Sequence, residues 1–292
     1  MATAATTRPV ELIPPQQQRL WGWPAVLNFF LGGLGAGLYV VAVAAAGFER
    51  SPAVAVASWL GPALVLAGFA AVATEAGRPF RGPRVLWRVR TSWMSRELWI
   101  GGAFVLFAAA DLLFPLRLHR VQALVAALLL ALAQGFIVRR ARGVTAWDVS
   151  IMPLLFVLSA LVSGGGLYLL IAVGGGRAPG ALLLGAVLIL VVAGLLAWMR
   201  YLTWSSEPSF VQAVEPLTHG RASLVIVRGG YLAPFVLAAL AAAVPIVAVP
   251  ALVLAGLLLI GGQLCAKARL ILAAGQLRPI TLRGVRVERR SA

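Results

Sequence analysis

Eight stretches of this sequence are apolar over nearly the length that a helix needs to cross a lipid bilayer. They cover approximately residues 23–47, 53–74, 97–115, 121–138, 149–173, 180–199, 229–245 and 247–272. About 20 apolar residues span the hydrocarbon core as a helix, and the alternating pattern of a β-barrel strand does not occur. The sequence therefore predicts an all-α integral membrane protein of about eight transmembrane helices, arranged as two four-helix bundles.

The composition supports this class. Hydrophobic residues make up 61% of the 292 residues and charged residues only 12%, about half the usual share of a soluble domain. Too few polar side chains remain to cover a water-exposed surface, which argues against a soluble enzyme, a disordered chain and a nucleic-acid binder. One cysteine, Cys265, cannot hold an iron–sulfur cluster. The two histidines, His119 and His219, fall in predicted loops on opposite sides, so we expect no haem and no metal.

The basic residues that give the net charge of +16 are distributed unevenly between the two sides of the predicted bundle. All but four of the 25 lysines and arginines fall on the side that also holds both chain ends. The four on the other side are Arg50, Arg117, Arg120 and Arg177. Because basic residues stay on the cytoplasmic side, we expect a multi-pass protein of the inner (cytoplasmic) membrane with both termini in the cytoplasm.

The chain divides into four predicted parts. A polar cytoplasmic segment, 1–22, lacks the apolar core of a secretory signal. Helices 1–4 follow in 23–142, helices 5–8 in 143–273, and a basic cytoplasmic tail in 274–292. Several residues of the first half recur 129 positions later, which indicates either a parallel internal repeat or chance in a chain rich in Gly, Ala and Leu. The recurring residues are Pro24, Gly35, Gly37, Leu38 and Tyr39, matched by Pro153, Gly164, Gly166, Leu167 and Tyr168.

Acidic residues at membrane depth are costly and therefore suggest function. Glu97 begins the third apolar run and Asp111 lies deep within it. Fourteen residues are close to four helical turns, so both acids face the same side, about 20 Å apart along the axis. Asp111 then belongs either to a proton path toward Glu97 or to a structural pair with Arg117 or Arg120.

The segment that leads into the third run, 91–97, reads Thr-Ser-Trp-Met-Ser-Arg-Glu. It is interpreted either as a helix start, with Ser92 or Ser95 as the cap and Trp93 in the interfacial belt, or as a ligand site. In a ligand site, Arg96 and Glu97 would bind the polar head of an amphipathic molecule and exchange a proton with it. Spacing alone does not decide between the two.

Three other features carry polar groups near the same side. Asn28, in the first run, is a buried amide that needs a partner, either a neighbouring helix or a ligand carbonyl. Glu75 opens the Glu-Ala-Gly-Arg-Pro sequence that closes helix 2 and includes Arg78. A basic stretch follows, which topology requires in part and which also suits an acidic protein surface. Its arginines are Arg81, Arg84, Arg88 and Arg90.

Taken together, these segments resemble a known family. Residues 23–37, with Trp23, Asn28 and their glycines, resemble the first helix of the NrfD/PsrC-type (polysulfide reductase) membrane subunits. The Glu75 to Pro79 sequence resembles the motif after their second helix. Residues 91–97 are similar to the Ser-Trp-x-Ser-Arg-Glu signature of the related DmsC-type anchors, and 274–279 to the end of their last helix.

The resemblance implies a quinone- or quinol-interacting membrane anchor subunit of a molybdopterin oxidoreductase complex, without haem or an iron–sulfur cluster of its own. Its partners would be a four-cluster iron–sulfur protein and a molybdopterin catalytic subunit. Electrons would pass between menaquinone or ubiquinone and the clusters of the partner. Whether the chain itself reacts with quinone or only anchors the complex is left open.

The resemblance also implies roles for individual residues. Glu97 would exchange protons with the quinone head and Asn28 would bind a quinone oxygen. The remaining residues of the predicted quinone site are Glu75, Arg78, Trp93 and Arg96. Arg81, Arg84, Arg88 and Arg90 would dock the partner. The histidine that many relatives have where Glu75 stands is absent here. Because the motifs fall on the arginine-rich side, we expect the catalytic subunits on the cytoplasmic side. A secondary transporter and a purely structural anchor are the alternatives.

Overall fold

The computed structural model of the chain describes residues 10–75, 87–174 and 179–282. The described part is built almost entirely of helices, with one short strand near each end, β1 (Val10–Ile13) and β2 (Ile280–Leu282). The first four helices are α1 (Trp23–Ala45), α2 (Pro52–Ala73), α3 (Trp93–Leu113) and α4 (Arg117–Arg140). The next five are α5 (Met152–Val173), α6 (Ala181–Leu202), α7 (Pro208–Thr218), α8 (Gly220–Ala243) and α9 (Ala248–Leu272).

Seven of the described helices are long and apolar enough to cross a membrane, judged by length and composition. They are α1, α2, α4, α5, α6, α8 and α9, the last extended by the 3₁₀ turn Pro245–Val247. The 21-residue helix α3 is not among them, and it carries Arg96, Glu97 and Asp111. It lies between α2 and α4 and contacts both. The prediction of an all-α membrane protein is confirmed, and the predicted count of about eight spans is close.

One predicted boundary is wrong by nine residues. The apolar run predicted at 229–245 corresponds to α8, which begins at Gly220. Arg221 and Arg228 lie in its first turns and lower the local hydropathy, so the sequence pattern places the start too late. The backbone widens to π-helical geometry over Leu224–Leu232, and α-helical geometry resumes at Ala233.

The helix bounds support the internal repeat. Helix α1 begins 129 residues before α5, and α2 (Pro52–Ala73) begins and ends 129 residues before α6 (Ala181–Leu202). The bounds of α3 and α4 correspond to those of α8 and α9 at the same offset to within three residues. A proline occupies the first turn of both α1 and α5. Backbone N–H groups there have no acceptor within the helix, so the missing N–H of proline costs no helical hydrogen bond. The two groups of four helices therefore run in the same order and direction.

The two groups meet through α1 and α5, which contact each other extensively. A Cβ at Gly37 would overlap the carbonyl of Ala160, and a Cβ at Gly164 would overlap the backbone of Gly37. Small residues at a crossing let two membrane helices approach at backbone distance. Whether the groups are separate domains with a boundary at 142/143 stays a prediction.

The first and last described segments of the chain pack at the same end of the bundle. β1 pairs with β2 in an antiparallel ladder, and the backbone of Gln18 donates to the carbonyl of Gly275 over 2.8 Å. The loop after α4 joins this layer, since the Arg278 backbone donates to the Gly143 carbonyl over 2.7 Å. The starts of α1, α3 and α5 and the ends of α4 and α9 lie here. We call this end, which holds most of the arginines, the basic end.

Two of the charges used to predict topology are buried within the bundle. Arg120 lies in the first turn of α4 and only 5% of its surface is exposed, because it forms an ion pair with Asp111. Lys267 lies within α9 and is 3% exposed. A single cation near the end of an apolar run gives the same hydropathy profile whether its side chain is buried or lies at the membrane interface. Hydropathy alone therefore could not distinguish the two cases.

Candidate functional site

The carboxylate of Glu97 lies at the centre of a buried cluster formed by three helices. Asn28 of α1 donates its side-chain Nδ2–H to Glu97 Oε1 over 3.0 Å, and Gln134 of α4 donates Nε2–H to the same oxygen over 3.0 Å. Gln134 Nε2 also lies 3.3 Å from the backbone carbonyl of Asn28. All three residues are buried: Asn28 is 3% exposed, Glu97 5% and Gln134 1%. Two amides thus hold one carboxyl oxygen in an apolar interior.

The local sequence explains why these side chains meet. Ser92 caps α3 by accepting the backbone N–H of Ser95 over 3.4 Å, which confirms the predicted helix start. Glu97 then lies four residues inside α3, and Asn28 five residues inside α1. Gln134 lies six residues before the end of α4. At about 1.5 Å per residue, all three are about 6–9 Å inside the basic end.

Two acceptor atoms of this cluster have no hydrogen-bond partner among the described residues. They are Asn28 Oδ1 and Gln134 Oε1, both buried. A buried polar atom without a partner costs about 1–3 kcal/mol. The cluster therefore offers three acceptors, including the carboxylate of Glu97, to a ligand that donates O–H groups. Gln134 is not among the residues predicted for the site from the sequence, so the second amide of the site was missed.

A cleft of about 530 Å³ opens at the basic end beside this cluster. Its walls include Trp93 and Arg96 of α3, Ile137 and Arg140 of α4, and Trp21. Arg96 directly precedes Glu97, and Ile137 lies one helical turn from Gln134. The cleft and the buried cluster are therefore built on the same turns of α3 and α4.

The aromatic and basic walls of the cleft are fixed by their own contacts. The ring of Trp93 stacks on Phe136 at a centroid distance of 4.3 Å, and the Arg96 guanidinium lies 4.4 Å above Trp93. Arg96 also donates to the carbonyls of Val89 and Arg90 over 2.8 and 2.9 Å. Such cation–π and backbone contacts hold the arginine at the rim.

The described hydrogen bond of the Glu75 side chain is to the start of α1 and not to the Glu97 cluster. Its Oε1 accepts the backbone N–H of Gly22 over 2.8 Å, at the exposed start of α1. There the carboxylate satisfies a free donor of the helix terminus, and it contacts neither Asn28 nor Glu97 by a described hydrogen bond. Arg78, also predicted for this site, lies outside the described residues.

Two of the four arginines predicted to dock a partner are described. Arg88 and Arg90 are exposed just before α3, and Arg90 lines the cleft. Arg81 and Arg84 lie outside the described residues. The docking role of this stretch stays a prediction.

Asp111 belongs to a second buried cluster, away from Glu97. Its Oδ1 lies 3.1 Å from Arg120 Nη2, and its Oδ2 accepts from Tyr39 over 2.9 Å. Ser58 contacts the same oxygen at 3.5 Å, and Arg120 donates to the carbonyl of Phe48 over 2.6 Å. The structure thus shows the pair with Arg120. The described hydrogen bonds do not join this cluster to Glu97, and the proton path stays a prediction.

The fold and the site define a multi-pass helical membrane protein with a buried carboxyl–amide cluster behind a basic, aromatic cleft. Residues 12–119 match the family model of the polysulphide reductase NrfD. This match covers α1, α2 and α3, including Asn28, Glu97 and Asp111, and ends before Arg120 and Gln134 of α4. It confirms the family predicted from the motifs for this part of the chain. No curated protein matches the sequence.

Proposed function

We propose that this protein is the quinone-interacting membrane subunit of a multi-subunit oxidoreductase. NrfD-type proteins are membrane subunits of quinone-linked, multi-subunit oxidoreductase complexes. The observation that supports the proposal most directly is the Glu97 cluster beside a cleft at the basic end. It holds a buried carboxylate and two amide oxygens that have no hydrogen-bond partner in the described part of the chain.

The chemistry of the cluster suits a hydroquinone head group. Asn28 Oδ1 and Gln134 Oε1, which no other described residue binds, can accept hydrogen bonds from its hydroxyls. Oxidation of a hydroquinone releases two electrons to the partner and two protons. Glu97, held by the two amides, takes up one of these protons and the other passes to water in the cleft; in the reverse direction both protons return to the quinone. A positioned carboxyl in this role must lie within hydrogen-bond reach of the proton that it accepts. Trp93 and Arg96 form the rim through which the head group enters.

The electron partner is proposed to be a four-cluster iron–sulfur protein that connects to a molybdopterin catalytic subunit. Both would sit on the basic end, where Arg88 and Arg90 are exposed and strands β1 and β2 pair. The excess of basic residues at this end supports an orientation in which it faces the cytoplasm from an inner membrane. Exposed arginines suit carboxylate-rich protein surfaces because they pair with them in bidentate geometry.

The two alternative functions differ from this proposal in where polar groups should lie. A transporter with repeats usually binds its substrate near the bilayer midplane, on broken helices. Here Asn28, Glu97 and Gln134 lie within about 9 Å of one helix end, a depth that suits a head group entering from that face. A purely structural anchor would have no use for a buried carboxylate held by two amides.

The test is electron exchange between a short-chain quinol analogue and the iron–sulfur partner in the purified complex. Glu97→Gln keeps the shape and the hydrogen bonds but cannot take up a proton, so we expect turnover to fall at least about 100-fold, as for loss of a general base. Glu215→Gln, an exposed acid on α7, is the matched control. Full turnover by an assembled Glu97→Gln complex would refute the proposal.

A further inference from the structure

Lys267 is a buried cation without a described ion pair. Its ammonium donates to Ser159 Oγ over 2.8 Å, and the rings of Phe156 and Phe30 lie 5.6 and 6.0 Å away. An isolated ammonium loses much of its hydration on burial, and cation–π contacts replace only part of it. Neither of the salt bridges between described residues includes Lys267.

The ammonium lies close to the Glu97 cluster. A Cβ at Gly33 of α1 would be 3.2 Å from Lys267 Nζ and 3.7 Å from Gln134 Oε1. These two atoms are therefore within about 7 Å of each other, a gap that one or two hydrogen-bonded waters can bridge. Gln134 Oε1 is the acceptor without a described partner, and the other end of the same amide holds Glu97.

All of these groups lie at one depth. Lys267 is five residues before the end of α9, and Gln134 is six before the end of α4. Glu97 is four residues inside α3. With about 1.5 Å per residue, they form a single layer within about 9 Å of the basic end. The layer crosses both halves of the repeat, because α3 and α4 belong to the first group and α9 to the second.

We infer that Lys267 is the counter-charge of Glu97. The ammonium stabilises the ionised carboxylate across the Gln134 amide, and Gly33 keeps the space between them open. Lys267 acts as a positioning residue, since Gln134 separates it from Glu97. The inference deepens the proposed function, in which Glu97 must lose its proton inside an apolar bundle. At about 10 Å and an effective dielectric constant of about 20, such a pair shifts a titration by about one pH unit.

The groups that face Lys267 from its neighbouring helices leave Glu97 as the acid of this layer. Helix α5 presents Ser159, α6 presents Trp198, and α8 presents Tyr231, all of which line a small cavity with Lys267. That cavity encloses about 20 Å³, enough for one water molecule. Tyr231 is the other titratable group here, and a phenol stays neutral at physiological pH unless strongly perturbed.

The first test is a double-mutant cycle on thermal unfolding of the purified protein in detergent at neutral pH. Removing one member of a buried charge pair leaves the other uncompensated, whereas removing both can be nearly neutral. We therefore expect Glu97→Gln and Lys267→Met each to lower the unfolding temperature by about 5 °C or more, and the double variant to lose clearly less than the sum. Additive losses would overturn the inference, because independent sites add.

The controls use a neighbouring cation and a conservative change. Arg269→Met removes an exposed cation two residues along α9 and should show no coupling to Glu97→Gln. Lys267→Arg keeps the charge and should keep most of the stability. If Lys267→Met fails to accumulate in membranes, restoration of its level by Glu97→Gln supports the inference, and a level that stays low overturns it.

A second measurement separates this inference from the proposed function. In the assembled complex, Lys267→Met should move the acid limb of the quinol-oxidation profile upward by about one pH unit, while Lys267→Arg leaves it in place. If the double-mutant cycle shows coupling but the native complex has no quinol activity, the charge pair is supported and the quinone site is refuted. Quinol activity with additive unfolding losses and an unmoved profile would refute the charge pair alone.

Discussion

Asn28 on α1 and Glu97 on α3 share a hydrogen bond of 3.0 Å although 69 residues separate them in sequence. The bond joins α1 to α3. Of the long helices that the structure describes, α3 is the one whose composition is too polar for a membrane span. The donor amide of the bond keeps the carboxylate fixed in one orientation. The glycine of the neighbouring helix makes this possible, since a Cβ at Gly68 of α2 would lie 3.1 Å from the Asn28 carbonyl.

We predict that Asn28→Ala weakens quinol turnover about tenfold while the complex stays assembled. The change removes one donor to Glu97 and one acceptor for the ligand, and a hydrogen bond to a charged group contributes about 1.5–3 kcal/mol. Steady-state kinetics with a quinol analogue should show the loss in kcat/KM. Ser163→Ala, which removes only a hydroxyl bonded to its own helix at Ser159, is the control. An Asn28→Ala complex with native kcat/KM would contradict the assignment.

The internal repeat provides a control position for Gln134, the second amide of the Glu97 cluster. Gln134 and Gln263 lie 129 residues apart, at equivalent places in α4 and α9, and both are 1% exposed. Gln134 holds Glu97, whereas Ile226 is the residue at the Glu97 position of the second half. We expect Gln134→Leu to lower quinol turnover at least about tenfold and Gln263→Leu to leave it within about twofold. Equal losses for both variants would show that the amides act only through packing.

The buried pair of Asp111 and Arg120 should matter for stability. Breaking a buried ion pair costs about 3–5 kcal/mol because the remaining charge stays uncompensated. Asp111→Asn should therefore lower the unfolding temperature by about 10 °C. Asp148→Asn, which breaks the exposed pair with Arg278 at 3.3 Å, should cost less than about 1 kcal/mol.

The same variant tests the predicted proton path from Asp111 to Glu97. In liposomes, an Asp111→Asn complex with native turnover and unchanged proton stoichiometry would remove the path. A reduced stoichiometry at native turnover would support it, because a purely structural role lowers turnover through the amount of folded protein and leaves the number of protons per electron unchanged.

Sequence reasoning predicted the class of fold, the spans and the motif residues because long apolar runs and capped helix starts are local signals. Asn28, Trp93, Arg96 and Glu97 were all identified from segments of fewer than 20 residues. Glu75, also identified from a local motif, forms its described hydrogen bond with Gly22 at the start of α1 and none with Asn28 or Glu97.

Two residues of the polar layer could not be predicted from local sequence. Gln134 has no motif around it, and its role depends on the crossing of α1 and α4 at Gly32, where a Cβ would overlap its amide. Lys267 has the sequence signature of an interfacial cation. Its burial follows from the packing of α9 on α5 and α1. The recurrence of glutamine 129 residues after Gln134 was the one sequence signal that could have singled it out.

The crossing of α1 and α5 should be intolerant of side chains. Because a Cβ at Gly37 would overlap the Ala160 carbonyl, Gly37→Ala should push the two helices apart and lower the unfolding temperature by about 5 °C or more, as overpacking costs about 1–3 kcal/mol. Gly102→Ala on α3 meets nothing within 4 Å and is the matched control. Unfolding of both purified variants in detergent gives the comparison, and an unchanged Gly37→Ala protein would contradict the close approach.

The proposed partners predict the composition of the native complex. A mild-detergent pull-down from native membranes should co-elute an iron–sulfur protein and a larger catalytic chain, with iron and with molybdenum or tungsten in the eluate. Replacing Arg88 and Arg90 by Gln should lower the recovered iron at least about threefold, because charged surface contacts steer and hold such partners. Arg50→Gln, at the opposite end of the bundle, should leave it unchanged. A chain that elutes alone and without metal would refute the proposed partners, whereas the same partners recovered with both arginine variants would place the docking surface elsewhere on the basic end.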